Sequence, residues 1–443
     1  MPEKYQNLID GKWTDSSDGK TLKTVNPANT KDIVGTIPAS THADVDRAVE
    51  AARKAYEPWR LTPAPKRGEI LFRAAELLVK DKDALGKLVT REMGKVLSEG
   101  LGDVQEAIDM AYYMAGEGRR LFAETVPSEL RNKDCKSVRV PKGVFALITP
   151  WNFPTAIPSW KILPALISGN TVVFKPSSYT PAAATRLVQS MEEAGLPPGV
   201  LNLVHGSGEA TGEYLAAHPG VNGVSFTGSS AVGEMLSKKC AGIDKEITCE
   251  MGGKNPTIIM DDADLELALS GTLFAAFGTT GQRCTATSRL IVHEKVYDEF
   301  IGIFKAAAEK LTLGDGLKDT TDVGPLINEQ QMKKVLEYIE IGKKEGARLV
   351  TGGNRAEAGE LKNGYFVEPT TFADVTPDMR IAREEIFGPV VSIIKIKDLD
   401  DAIATANDTV YGLSSSIYTQ DVNSSAVAER DLDSGIVYIN APT

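Results

Sequence analysis

The sequence predicts an α/β fold of two doubly wound parallel-sheet domains with a small β-arm, and three observations predict it. Short β-branched or apolar runs alternate with amphipathic helical stretches, which argues for parallel sheets covered on both faces. The rhythm is broken near residue 251 and then resumes, as a second domain would require. At 443 residues the chain also exceeds the ordinary size of one compact core.

Taken in order, apolar positions recur at helical spacing in "EILFRAAELLVKDKDALGKLV" (69–89), in 181–194 and in "KVYDEFIGIFKAAAEKL" (295–311). Strands are read at "VFALIT" from 144, "TVVF" from 171, "LNLV" from 201, "VSF" from 224 and "TIIM" from 257. They continue with "RLIV" from 289, "VVSII" from 390, "LSSSIY" from 413 and "IVYIN" from 436. The boundary falls at "MGGKNP" (251–256), where two glycines and a proline can reverse the chain. The first domain is therefore assigned residues 1–122 and 144–250, and the second 251–443. Between the two parts of the first, "TVPSELRNKDCKSVRVPKG" (125–143) alternates like a two-stranded excursion. Such an arm, assigned to 123–143, cannot bury itself alone and is expected to pack on another subunit.

Composition excludes several classes. Hydrophobic residues make up 42% and charged residues 25%, with no apolar run of bilayer-crossing length. The formal net charge of -11 opposes general binding to nucleic acid or anionic membrane. The N-terminus has no secretory pattern, so the cytoplasm is the expected compartment. Cys135, Cys240, Cys249 and Cys284 form no paired motif, and His42, His205, His218 and His293 are scattered, so no metal site and no disulfide framework is expected.

Four stretches carry chemistry. "FKPSSYTP" (174–181) ends a strand with Lys175, at the sheet edge where such folds bind ligands; the plain alternative is a solvated lysine. "FTGSSAVGEM" (226–235) puts Gly228 and Ser229 where a strand opens into a helix, suited to a phosphate or simply to an N-cap. "HGSGEATG" (205–212), which contains Gly208, is spaced too widely for the dinucleotide fingerprint and reads as a turn. "FGTTGQRCTATSR" (277–289) holds Cys284 with no neighbouring histidine, and alone it reads as a buried thiol. Three further stretches change that reading. "TCEMGGKNP" sets Glu250 before a flexible Gly-Gly pair, "TPWNFP" (149–154) holds an amide between prolines, and "REEIFGPVV" (383–391) places Glu385 and Phe387 before a Gly-Pro turn.

Together these stretches resemble the NAD(P)-dependent aldehyde dehydrogenase superfamily, closest in wording to 2-oxoglutarate semialdehyde and succinate semialdehyde dehydrogenases, from "NLIDGKW" to the last residue. The resemblance implies Cys284 as nucleophile, Glu250 as general base and Asn152 as oxyanion donor together with the Cys284 backbone N–H. It implies a cofactor, NADP or NAD, with Lys175 and Ser178 at the adenosine ribose, Gly228 and Ser229 at the pyrophosphate, and Glu385 and Phe387 at the nicotinamide end. Thr149, Pro150, Trp151, Gly208 and Gly252 are assigned to the same cofactor site. Many NAD-preferring relatives carry a glutamate at the position of Ser178, so the lean is toward NADP. Arg283 is assigned to a distal carboxylate of a small semialdehyde substrate. Cys249 reads as a packed strand residue. A homodimer or homotetramer is implied, and because the family continues past "GIVYINAPT", the C-terminus reads as truncated. Rival readings are an aldehyde dehydrogenase of other specificity, a thiol hydrolase or acyltransferase without a redox cofactor, and a non-catalytic relative.

Overall fold

The computed structural model describes residues 3–443. The chain forms two compact units. One holds the residues up to Val25, Ile33–Glu92 and Ser98–Glu250; the other holds Asn26–Asp32, Met93–Leu97 and Met251–Thr443. The stretches 26–32 and 93–97 thus group with the second unit, whereas the sequence assigned all of 1–122 to the first. Neither is long enough to show a shift in composition.

The sheet of the first unit runs Glu246–Glu250, Gly223–Thr227, Val144–Ile148, Thr171–Lys175, Leu201–Leu203, Asn7–Ile9 and Lys12–Thr14. The first five strands are mutually parallel, and Asn7–Ile9 pairs antiparallel to both its neighbours. The period-two alternation of a strand splits the apolar residues between two cores. Leu147, Val172 and Phe174 pack on one face with Leu71, Ile108, Leu163 and Leu187. Ala146, Ile148 and Val173 pack on the other with Val45, Val49 and Leu236. Side chains of both parities are buried, which is why these strands read as unbroken apolar runs. From Val144–Ile148 the chain builds outward through Thr171–Lys175 and Leu201–Leu203, then returns to the opposite side with Gly223–Thr227. That reversal creates a switch point at the carboxyl ends of the strands.

The second unit's sheet runs Arg348–Thr351, Thr370–Ala373, Val390–Ile396, Thr287–His293, Asn255–Ile259, Ser414–Tyr418 and Ile436–Ile439, parallel except for the first pair. Here too neighbours in sequence face opposite ways. Ile259 and Leu290 pack with Phe277, Phe300 and Phe304, while Ile258 and Ile291 pack with Ala402, Ala406 and Ala428.

The interrupting segment forms a two-stranded antiparallel ribbon, Thr125–Pro127 with Asp134–Lys136. Its surroundings expose Phe122, Val126, Leu130, Val138 and Val140. Among the described residues, no helix is long and apolar enough to cross a membrane.

Candidate active site

In the first unit, every residue assigned to chemistry except Gly208 lies at or just past the carboxyl end of a parallel strand. Thr149, Pro150, Trp151 and Asn152 follow Val144–Ile148; Lys175 ends Thr171–Lys175; Gly228 and Ser229 follow Gly223–Thr227; Glu250 ends Glu246–Glu250. Because the strands are parallel, these ends share one edge.

Asn152 is 2% exposed and precedes the helix Ala156–Ile167. That helix is pinned by Asp103, whose Oδ1 accepts from the backbone N–H of Ala156 at 2.7 Å and the Thr155 hydroxyl at 2.7 Å. Sequence reasoning missed Asp103, which lies some fifty positions away from the helix it caps. Lys175 is no solvated surface lysine. It is 4% exposed, and its ammonium donates to the carbonyls of Pro176 at 2.7 Å and Gly206 at 3.2 Å. Burial pulls it down to about 8. Ser178 is half-buried in the following loop.

Gly208 opens a short π-helix, Gly208–Glu213, in place of the expected turn, with the Ser207 hydroxyl accepting from the Ala210 N–H at 3.0 Å. Ser229 sits at the N-cap of the twelve-residue helix Ser230–Ala241, and its side chain makes no cap hydrogen bond. The first-turn N–H groups at this solvent-exposed helix start therefore have no side-chain acceptor from the cap.

Strand alternation separates the last two residues of Glu246–Glu250. Cys249 points toward the helix, with Ser237 Oγ at 3.5 Å and the Gly233 carbonyl at 3.8 Å, whereas Glu250 is exposed. Lys161, also unremarked in the sequence, donates to Ser225 Oγ at 2.9 Å. Burial brings Lys161 down to about 8, with the Glu250 charge supporting its protonated form.

In the second unit the site residues gather at the opposite end of their strands, the amino ends. Gly252 precedes Asn255–Ile259, Cys284 precedes Thr287–His293, and Glu385 and Phe387 precede Val390–Ile396. The carboxyl-edge rule would not have found this group. Cys284 follows a tight turn in which Thr279, Thr280 and Gly281 have φ of 52°, 59° and 65°. Gln282, fully buried, braces that turn: its Nε2 donates to the carbonyls of Thr279 and Pro325, and its Oε1 accepts from the Ile327 N–H at 2.9 Å. Asn255 Nδ2 donates to the Cys284 carbonyl at 2.7 Å and to the Ala286 carbonyl at 2.9 Å, so the backbone on both sides of Thr285 is held. Cys284 is half-buried. Burial pushes its ionisation up, and the backbone N–H groups of Thr285 and Cys284 oppose that rise.

The Gly-Gly pair has a different cause from the freedom the sequence suggested. Neither glycine has a positive φ. A Cβ on Gly252 would stand 2.3 Å from both Glu385 carboxylate oxygens, and one on Gly253 would stand 2.7 Å from the Cys284 carbonyl. The pair is there so that these groups can approach. Glu385 Oε1 accepts the Gly253 N–H at 3.2 Å. Phe387 has φ 59°, and its carbonyl accepts from Gln331 Nε2 at 2.7 Å, a clamp the sequence did not signal.

Arg283 is engaged within its own unit. Its Nη2 donates to the carbonyls of Phe274 at 3.1 Å and Ala275 at 2.9 Å, and the guanidinium lies 4.5 Å from the Phe274 ring centroid. It caps the end of the helix Leu265–Phe277, where positive charge offsets the unmatched carbonyls. The Cys284 loop thus carries a guanidinium engaged by its own unit.

The first unit's edge fits an anionic dinucleotide. It offers a buried ammonium at Lys175, a helix start without a cap, and the Thr149 hydroxyl, which is buried without a hydrogen-bond partner. Among the described residues no cluster of three metal-ligating side chains occurs.

The aldehyde dehydrogenase family profile matches residues 13–443, and the chain belongs to that family. It is an NAD(P)-dependent aldehyde dehydrogenase, which oxidises an aldehyde with a nicotinamide cofactor. It is 44% identical over 437 residues to the alpha-ketoglutaric semialdehyde dehydrogenase of Bacillus subtilis (strain 168), covering 99% of this chain and 90% of that protein. It is also 44% identical over 443 residues to the alpha-ketoglutarate semialdehyde dehydrogenase of Haloferax volcanii, covering 100% and 92%. A crystal structure of betaine aldehyde dehydrogenase from Staphylococcus aureus in complex with NAD+ superimposes with a TM-score of 0.97 at 36% identity, covering 99% of this chain and 87% of that one.

Proposed function

We propose that the protein oxidises a small carboxylated semialdehyde, 2-oxoglutarate semialdehyde or succinate semialdehyde, to the free acid. The observation that carries the substrate class is the 44% identity, over nearly the whole chain, to two dehydrogenases named for alpha-ketoglutarate semialdehyde.

In this reading the Cys284 thiolate adds to the aldehyde carbonyl. The Asn152 amide and the Cys284 N–H donate to the oxygen that becomes negative, which stabilises the tetrahedral thiohemiacetal. The bracing of the Cys284 loop by Asn255 and Gln282 supports that role, because a donor fixed beforehand needs no reorganisation when charge develops. A bound nicotinamide cofactor supplies the hydride acceptor. With the hydride gone, Cys284 carries a thioester; Glu250 takes a proton from water, hydroxide attacks the acyl carbon, and the thiolate leaves. The exposure of Glu250 supports its access to that water.

Lys175 and Ser178 would hold the adenosine ribose, Gly228 and Ser229 the pyrophosphate, and Glu385 and Phe387 the nicotinamide end, with Thr149, Pro150, Trp151, Gly208 and Gly252 contributing to the same cofactor site. Serine at 178 leaves no carboxylate to repel a 2′-phosphate, and a buried ammonium precedes it by three residues, so NADP is preferred. Arg283 would serve the substrate's distal carboxylate, exchanging its helix carbonyls for it. The exposed ribbon at 125–136 is the proposed arm of a homodimer or homotetramer.

The test is a panel of aldehydes against both cofactors, read as absorbance at 340 nm, followed by Cys284→Ser, Glu250→Gln and Arg283→Leu on the best substrate. The expected losses are on the order of a thousandfold or more for the first and a hundredfold or more for the second. Better turnover of uncharged aldehydes than of every carboxylated one, or an unchanged KM in Arg283→Leu, rejects the substrate assignment. A kcat/KM for NADP more than about tenfold below that for NAD rejects the cofactor preference.

A further inference from the structure

The loop that carries Asn152 is held on both sides by buried side chains that the mechanism above does not use. It leaves the strand Val144–Ile148 and enters the helix Ala156–Ile167. On the helix side, Asp103 Oδ1 accepts from the Thr155 hydroxyl at 2.7 Å, from the Ala156 N–H at 2.7 Å and from the Thr155 N–H at 3.3 Å. On the strand side, the Thr180 hydroxyl donates to the Trp151 carbonyl at 3.2 Å. Asp103 and Thr180 are each 1% exposed and Thr155 is 0% exposed, so water does not compete for these bonds. All of these residues belong to the first unit.

Both anchors depart from ordinary capping in the same way. Thr155 and Thr180 stand at the N-caps of Ala156–Ile167 and Pro181–Glu193, where a threonine hydroxyl usually accepts an N–H of its own helix, yet neither makes a side-chain cap bond. A carboxyl from a distant segment takes that place, Asp103 at the Ala156 N–H and Glu92 at the Ala182 and Ala183 N–H groups. The Thr180 hydroxyl is thereby left to donate to the loop. The start of the loop is tied as well, because the Thr149 N–H donates to the Lys175 carbonyl at 3.2 Å. Between the fixed points at Trp151 and Thr155 lie Asn152, Phe153 and Pro154, and the proline ring locks one of the remaining dihedrals.

We propose that Asp103 and Thr180 are positioning residues for Asn152: they fix the backbone on both sides of it and so aim its amide at the oxygen that becomes negative. The proposal rests on the oxyanion role given to Asn152 above. A donor held in place before charge develops needs no reorganisation, and a displacement of about 1 Å is enough to lose on the order of a hundredfold in rate.

The experiment compares Asp103→Ala, Asp103→Asn, Thr180→Val, Thr180→Ser and Asn152→Ala, and combines Asp103→Ala and Thr180→Val each with Asn152→Ala. It reads kcat/KM at saturating cofactor for the fastest aldehyde of the panel, succinate semialdehyde being the one expected. The cofactor dissociation constant is read separately, by quenching of the intrinsic fluorescence of the chain's 4 tryptophans. Asp103→Ala is expected to lose about 10- to 100-fold in kcat/KM and Thr180→Val about tenfold, with the cofactor constant within about threefold of the parent. Asp103→Asn keeps an acceptor oxygen and Thr180→Ser keeps the hydroxyl, so both are expected to stay within about fivefold. In the Asn152→Ala background neither Asp103→Ala nor Thr180→Val is expected to cost anything further, because the group they aim is gone. Losses that persist in full in that background overturn the positioning role. So do unchanged rates in Asp103→Ala and Thr180→Val, or a fall in cofactor affinity that matches the fall in kcat/KM. An unchanged kcat/KM in Asn152→Ala overturns the oxyanion role of Asn152 itself. Should Asp103→Ala fail to fold, Thr180→Val with and without Asn152→Ala decides by the same criteria.

Discussion

At the scale of single residues, the thiol proposed as nucleophile is held in check. Burial pushes the Cys284 thiol up and the Glu385 charge adds to this, while the N–H groups of Thr285 and Cys284 and the Arg283 charge pull it back. The cofactor-free protein therefore holds mostly neutral thiol at neutral pH. The rate of Cys284 alkylation by iodoacetamide is expected to be still climbing at about pH 9, where a free thiol of pKa about 8.5 is levelling off; a plateau below about pH 8 contradicts this. Asn255 matters through what it holds. Asn255→Ala releases the carbonyl on which the Cys284 backbone is fixed, and kcat is expected to fall on the order of 10- to 100-fold, with the cofactor KM changed far less. Equal losses in kcat and cofactor affinity would mean that Asn255 supports the whole edge rather than the loop.

At the scale of elements, a buried carboxyl organises the helix that follows Lys175 and Ser178. Glu92 accepts the backbone N–H of Ala182 at 2.8 Å and of Ala183 at 3.1 Å, capping the helix Pro181–Glu193 from a distant segment. Burial raises Glu92 to about 8, against backbone and Thr24 hydrogen bonds that lower it. Its folded value lies above the unfolded one, so the native state retains this proton longer. The stability it contributes is complete below about pH 4.5 and is lost as pH rises through about 8. Glu92→Gln keeps an acceptor but cannot ionise. Urea denaturation is expected to show less decline in stability for this variant than for the parent between about pH 5 and 8; parallel declines in the two proteins argue against the linkage. A second element-scale device is the run Thr279, Thr280 and Gly281 at positive φ. Two threonines held there carry strain that the Gln282 contacts offset, which explains why a glutamine stands two residues before Cys284.

At the scale of the molecule, each unit places its site residues along one sheet edge by parallel pairing, the carboxyl edge in the first and the amino edge in the second. The ribbon Thr125–Pro127 with Asp134–Lys136 stands outside this logic. A two-stranded ribbon has no core of its own, and Phe122 and Val140 are 71% and 73% exposed. The full chain is expected to elute as a dimer or tetramer in size-exclusion chromatography, and a variant with Val126, Val138 and Val140 changed to serine as a monomer with unchanged circular dichroism. A monomeric parent, or an assembly indifferent to the triple substitution, removes the role given to the ribbon.

The sequence alone determined the α/β class of the fold and the family, because apolar periodicity and short motifs are local properties of the chain. The tertiary structure alone decided what surrounds the chemistry-bearing stretches. It buried Lys175, which the sequence left open as a solvated lysine, by closing the carbonyls of Pro176 and Gly206 around its ammonium. It turned Arg283 onto the carbonyls of Phe274 and Ala275, and it revealed that Gly252 and Gly253 are small to admit Glu385 and the Cys284 carbonyl. It brought in Asp103 and Gln331, which lie outside those stretches, and gave Asn255, which stands unassigned inside "TCEMGGKNP", its hold on the Cys284 carbonyl. Their roles depend on contacts between residues far apart in sequence, and such contacts exist only once parallel strands bring their ends together.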